Sequence, residues 1–276
     1  MVLLAGCSFE PPGAGPTTAP DAAISADAAS ADVDAPSGQP PPPPPDAPPQ
    51  VTCTTSDGAL QLCLELEDPS FASGTVVDGS GHARDATVAN LAMATRDVPT
   101  VSHAAGLSST SAIRVAETSA LDAQAVTLMA WVQRTSIPAS GARFGVLDIG
   151  RRQAALAIDD SGHVVCFVKT DETIWFREGG STGRNEWALA ACTYDAPTLC
   201  AYSFRAGSAT PDVTCGSTDG ASLDTSSSSG TTIGALFDLD SGNLISHFAG
   251  NVDGIRIYNR ALTRDELCRS GNIPGC

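Results

Sequence analysis

Carboxylates are the first residues to weigh, because a 276-residue chain with 31 Asp and Glu could run acid–base chemistry through any pair held at the right separation. Glycoside hydrolysis needs two carboxyl groups about 5 to 10 Å apart, flanking the scissile bond. Glu65 and Glu67 alternate with Leu60, Leu62, Leu64 and Leu66, so they share one face of a strand whose other face is a leucine row, and the pattern reads as a solvated strand face. No Gly-x-Ser-x-Gly elbow, His-Glu-x-x-His pair or phosphate-cradling Gly loop occurs, so the sequence offers no catalytic residue. Nine cysteines and four scattered histidines include no pair at zinc-ligand spacing. The remaining use for the thiols is disulfide bonding in an oxidising compartment, and an odd count leaves one cysteine over.

The amino terminus accounts for the odd one. Leu4-Ala5-Gly6-Cys7 resembles the lipobox of bacterial lipoproteins, in which the chain is cut before a cysteine that is then lipidated on sulfur. The apolar stretch ahead of Cys7 is shorter than a signal segment and has no basic flank, so residues 1–7 are read as a truncated signal whose true start lies upstream of Met1. Residues 8–50 contain no Lys or Arg and are rich in Ala, Pro, Asp and Ser, too poor in apolar surface to offset the entropy of ordering. They are expected to form a disordered tether, stiffened by the polyproline run at 40–45.

Residues 51–276 are left for one folded domain. Short apolar and β-branched runs at 60–66, 111–115, 126–133, 145–149, 154–158, 164–168, 187–193, 199–204, 231–233 and 252–258 are punctuated by Gly, Asp and Ser. That spacing argues a sandwich of antiparallel strands with no long helix. Thr263 and Glu266 have capping-box spacing and mark one short helix before the carboxyl terminus. Cys200 and Cys215 are expected on adjacent antiparallel strands, closing a loop of about 15 residues worth about 3 kcal/mol of chain entropy. Cys166 and Cys192 are paired by the same logic. The four terminal cysteines pair either locally, as Cys53–Cys63 and Cys268–Cys276, or across the joined ends.

The order of these segments resembles the laminin-G-like, concanavalin A-like jelly-roll family over 60–270. The similar blocks are Val77-Asp78-Gly79-Ser80-Gly81, the Trp131 strand Ala125-Val126-Thr127-Leu128-Met129-Ala130-Trp131-Val132, the Trp187 strand from Asn185 to Asp195, and Phe248-Ala249-Gly250-Asn251-Val252-Asp253-Gly254-Ile255-Arg256-Ile257-Tyr258. The resemblance implies an all-β jelly roll of two antiparallel sheets. It also implies that the loop of Asp78 and the closing strand of Asp253 lie together, where hard oxygens could hold a Ca²⁺ ion; the alternative is that Asp78 makes an Asx turn and Asp253 caps a loop. The Glu-x-Asp-x-x-Glu pattern of some enzymes of that fold is missing. Trp131 and Trp187 read as core. Trp175, with Ile174 and Phe176 on the opposite face, points either outward, where an indole could stack on a sugar, or into a second core layer.

The net charge of -16, with only 15 basic residues, argues against nucleic acid and against electrostatic attraction to anionic lipid. The reading that follows is a non-catalytic module, lipid-anchored at the bacterial outer membrane or cell surface, that binds a glycan or an extracellular protein. The alternatives are a structural surface lipoprotein without a specific ligand and a polysaccharide-acting hydrolase.

Overall fold

The computed structural model describes residues 53, 57–67, 74–99, 101–171 and 173–276. The truncated signal, Cys7 and the tether at 8–50 lie outside the described residues. Period-two alternation in the strands gives each two faces, and two sheets use one face each to build a common core. The first sheet runs β14 (Asp212–Ser217), β13 (Thr198–Arg205), β12 (Ala188–Asp195), β7 (Val126–Arg134), β18 (Gly250–Tyr258), β5 (Ser102–Leu107) and β4 (Ala92–Arg96), with β1 (Leu60–Leu64) also on β18. The second runs β11 (Thr173–Ser181), β10 (His163–Thr170), β9 (Ala154–Asp159), β8 (Arg143–Ile149), β15 (Thr231–Ile233), β6 (Ala112–Val115), β3 (Ala86–Ala89) and β2 (Thr75–Val76). Neighbouring strands are antiparallel throughout both sheets, the arrangement of a jelly-roll sandwich.

What covers the outer face of each sheet differs, and that difference positions the candidate site. On β7, Leu128, Ala130 and Val132 enter the inter-sheet core while Met129 and Trp131 face outward, into a second apolar layer roofed by Leu262, Leu267, Cys268 and Ile273. The roof is α1 (Arg264–Ser270) and the tail after it; Thr263 and Glu266 form its capping box, as their spacing predicts. Trp131 Nε1 donates to the Gly271 carbonyl at 3.1 Å, fastening the roof to the sheet. The outer face of the second sheet carries only a small cluster of Ala155, Ala157, Val165, Phe167 and Leu236. Its cover is the two-strand hairpin β16 (Leu236–Phe237) and β17 (Leu244–Ile245). Gly145 allows this cover to come close, because a Cβ there would lie 2.5 Å from the Ala235 carbonyl carbon.

Two expectations need correction. The strand of Glu65 is not half-solvated: every residue of β1 is buried, because Leu62 and Leu64 enter the inter-sheet core while Leu60 and Cys63 enter the outer layer of the first sheet. Cysteines are joined as Cys53–Cys63, Cys200–Cys215 and Cys268–Cys276, but Cys166 and Cys192 are free and buried. Cys200 and Cys215 face each other in register on β13 and β14. Cys166 and Cys192 are not cross-strand neighbours, since β10 and β12 belong to different sheets; their thiols meet across the core, where Cys166 Sγ also donates to the Cys200 carbonyl at 3.2 Å. Burial holds the Cys166 thiol well above its usual range, so it stays protonated and unreactive. Alkylation without reductant should therefore leave peptides carrying Cys166 and Cys192 unmodified in the native protein and modify both after denaturation. Either peptide recovered as a disulfide would contradict the pairing described here.

Candidate functional site

Asp78 and Asp253, the expected calcium ligands, have no lone pair to spare. A carboxylate offers about four acceptor sites. Those of Asp78 are filled by Cys63 N (3.0 Å) and Ser80 N (2.9 Å) on Oδ1 and by Ser80 Oγ (2.7 Å) and Arg84 N (3.1 Å) on Oδ2. Desolvation works against the charged form of Asp78, but these donors outweigh it and hold the carboxyl below its ordinary value. Those of Asp253 are filled by Leu66 N (3.4 Å) and Gly254 N (2.7 Å) on Oδ1 and by Arg96 Nε (2.6 Å) and Ser102 Oγ (2.9 Å) on Oδ2. In this arrangement protein donors take the acceptor sites that a Ca²⁺ ion at this pair would need. Sequence reasoning missed Arg96 and Ser102 because they are more than 150 positions away from Asp253.

The carboxylates that do approach Asp253 are Glu65 and Glu67, and their oxygens lie close enough together to share one metal ion. Two guanidinium groups already occupy this ground. Arg96 pairs with Asp253, and Arg256 pairs with Glu65. Burial is the largest influence on Glu65 and raises its carboxyl despite Arg256. The group is an internal charge network in which the arginines do the work a cation would do.

Trp175 is partly buried against the inter-sheet core, and its Nε1 donates to Thr170 Oγ1 at 3.1 Å. It is not the outward aromatic. Phe176, one position on and therefore on the opposite face of β11, is 47% exposed. Phe176 pairs in register with Phe167 of β10, with ring centroids 6.3 Å apart. Arg143 lies over both rings, at 5.1 Å from Phe167 and 5.7 Å from Phe176, and Arg152 lies 5.5 Å from Phe167. These distances are within cation–π range. Ile174 continues the apolar strip and joins two shallow clefts. One, of about 500 Å³, follows β11 from Thr173 to Glu178. The other, of about 490 Å³, is polar and is lined by Arg151, Lys169, Asp224, Asp240 and serines 226–229.

The turn from β8 to β9 sets these arginines in place. Gly150, Arg151 and Arg152 all have left-handed φ, at 52°, 53° and 72°. Such a conformation costs an L-residue about 1 to 2 kcal/mol, so contacts must hold it. Arg151 Nε donates to Ser229 Oγ at 2.9 Å, and Gly150 N donates to the Gly230 carbonyl at 2.9 Å. Asp148 is the central support: it accepts from Arg152 N at 2.6 Å and from Phe237 N of the covering hairpin at 2.8 Å. Burial pushes the Asp148 carboxyl up to about 7, against the two N–H donors and Arg152, which pull it down. The sequence pointed to this stretch through Ile174, Trp175 and Phe176, but to the wrong ring, and a further signal was Arg151-Arg152 between two strand-forming runs.

Fold and site together define a jelly-roll sandwich with one roofed face and one partly open face that carries aromatic and cationic side chains. A family model for the concanavalin A-like lectin/glucanases superfamily matches residues 107–268, and the chain belongs to that superfamily. No curated protein matches the sequence. Among solved structures, the binding domain of botulinum neurotoxin DC in complex with SialylT is similar at TM-score 0.56 and 12% identity, over 78% of this chain and 51% of that one. The same domain in complex with rat synaptotagmin II gives 0.54 and 13%, over 78% and 51%. Domain 4 of AbnA, a GH43 extracellular arabinanase from Geobacillus stearothermophilus, in complex with arabinotriose, gives 0.53 and 15%, over 76% of this chain and 97% of that one. The chain thus spans about half the length of the neurotoxin domains it matches, and these likenesses concern the fold.

Removing the Asp253 carboxylate strands Arg96 in a site where its side chain is only 7% exposed. Asp253→Ala should cost about 3 to 5 kcal/mol in denaturant unfolding, while wild-type melting curves in millimolar Ca²⁺ and in EDTA should coincide. A calcium-dependent rise in Tm would restore the metal site. Asp148 gives a pH dependence of defined sign. Its folded value lies above the ordinary 3.8, so the folded chain keeps a proton that the unfolded chain releases, and stability falls as pH rises from about 4 to 7. Asp148→Asn, neutral at every pH, should flatten that slope relative to wild type between pH 5 and 7.5; an unchanged slope would mean that Asp148 is not its source.

Proposed function

We propose that this protein is a non-catalytic glycan-binding module of the cell surface and that the open face of the second sheet binds the ligand. The observation that carries this reading is Phe176, a half-exposed ring on a strand face, flanked by Ile174 and by the cationic side chains of Arg143 and Arg152. Sugar rings stack on such surfaces through their C–H faces, while the surrounding polar groups orient the hydroxyls. The other outer face is filled by its helical roof. In the carboxylate cluster of Glu65, Glu67 and Asp253, Glu65 and Asp253 are paired with arginine, which supports binding without turnover.

Export fits the three disulfides, which persist in oxidising compartments. In this reading Cys7 is the lipidated residue, residues 8–50 are the tether, and residues 51–276 stand off the bacterial outer membrane as the binding domain. One acyl chain binds a membrane only marginally, so anchoring would need the further chains of a mature lipoprotein. A glycan array should return ligands for wild type, and Phe176→Ala should lose at least about tenfold in affinity, the scale of one stacking contact, with Tm unchanged. Equal binding by Phe176→Ala would move the site elsewhere, and an array with no ligand would favour a purely structural surface protein.

A further inference from the structure

Arg143 and Arg152 are held in place without spending their hydrogen-bond donors. The Nε atoms of both are buried and have no partner. The nearest acidic oxygen to Arg143 is Glu178 Oε1, at 3.7 Å from a terminal nitrogen, and Asp148 Oδ2 stands 3.9 Å from Arg152 Nε; both separations exceed hydrogen-bond length. The Arg152 side chain makes one long contact, to the Phe237 carbonyl at 3.5 Å. What fixes the two planes is Phe167, over which both guanidinium groups lie. Stacking of this kind orients a guanidinium; the buried Nε donors are closed to a ligand, and the terminal nitrogens, on side chains 34% exposed in Arg143 and 16% in Arg152, are the donors left available.

An unpaired buried donor costs free energy, and two like charges sharing one ring repel. The neighbourhood does not repay this. Asp148 accepts one backbone N–H on each oxygen, from Arg152 and Phe237, and stands 3.9 Å from Arg152 Nε without bonding it, and Glu178 is half exposed. The left-handed turn that presents Arg152 adds its own strain. In a chain of net charge -16, two guanidinium groups whose only carboxylate partners stand 3.7 and 3.9 Å away, beyond hydrogen-bond length, and which lie beside an exposed aromatic, suit an anionic ligand.

We infer that the open face recognises a carboxylate-bearing sugar, with its ring over Phe176 and its carboxylate on Arg143 and Arg152. This inference rests on the glycan-binding reading above and narrows it to acidic glycans. The carboxylate is planar, as the guanidinium is, and can take paired N–H donors; a hydroxyl cannot supply the charge. Loss of charge-assisted bonds of this kind lowers affinity by at least about tenfold.

The test measures binding of the full chain by calorimetry to matched pairs of probes: hexamers of galacturonate, glucuronate and mannuronate, each against its carboxyl-reduced neutral counterpart, sialyllactose against lactose, and a sulfated neutral hexamer. Wild type should bind at least one acidic member at least about tenfold more tightly than its neutral partner. Arg143→Gln should remove that preference, bringing the acidic member and its neutral partner to the same affinity. Arg152→Gln should act in the same way, and Arg143, which makes no hydrogen bond to the protein, keeps the test open if the Arg152 variant does not fold. Acidic and neutral partners bound equally would overturn the acidic-sugar inference and leave the glycan-binding reading standing. A preference for the sulfated probe alone would also overturn it. Binding to no probe would remove both.

Discussion

The Asp253 carboxylate is the tie on which the closed half of the sandwich depends. It lies where the edge of β18 passes from pairing with β5 to pairing with β1, beside a bulge that Gly254 accommodates at φ 53°. Its partners come from just beyond β1 (Leu66 N), the start of β5 (Ser102 Oγ) and the end of β4 (Arg96). Arg96 extends the tie by lying 5.3 Å over Trp131 of β7, and Trp131 reaches the carbonyl of Gly271 beyond α1. One buried charge therefore joins four strands and the carboxyl-terminal roof. A buried ion pair is not stabilising as such, because desolvation offsets much of the attraction. Its worth here is geometric, in fixing where three strand ends meet one long strand.

With the first sheet closed in this way, the outer surface left for a ligand belongs to the second. There the supports are local and weaker: a short hairpin, a strained turn and a single buried carboxyl, Asp148, that connects the two. The consequence is an asymmetric molecule. The first sheet carries disulfides at Cys53–Cys63 and Cys268–Cys276 and the larger outer apolar layer, while the arginines and Phe176 stand on the second sheet beside its small outer cluster. A left-handed turn, an exposed ring and two stacked arginines therefore lie together on that one face.

The sequence made the architecture readable wherever alternation was strong. The runs at 126–133, 154–158 and 252–258 became β7, β9 and β18, and the Thr263–Glu266 spacing became the cap of α1. Strands that lack alternation went unseen. β4 and β5 are alanine-rich, β14 is an exposed edge strand, and β11 ends in Gly179-Gly180, packed against Ala201 and Asp212, so its aromatic start did not read as a strand. The site was less legible for a physical reason: its residues meet through cross-strand register and a turn geometry that single-chain patterning does not encode. The pairing of Phe167 with Phe176 requires the β10–β11 register, and the same register sends Trp175 inward. The partners of Asp253 were not legible, because a carboxylate met by arginine, hydroxyl and backbone donors has the same sequence signature as one that binds a metal.

The central claim is that one face of the sandwich is closed for structure and the other is open for binding. Hydrogen-exchange mass spectrometry of the full chain, with and without an oligosaccharide that it binds, tests this most directly. The account predicts new protection in peptides spanning 143–152 and 163–178, with exchange at 60–67 and 250–258 unchanged. Protection confined to 60–67 and 250–258, with 143–178 unaffected, would contradict it.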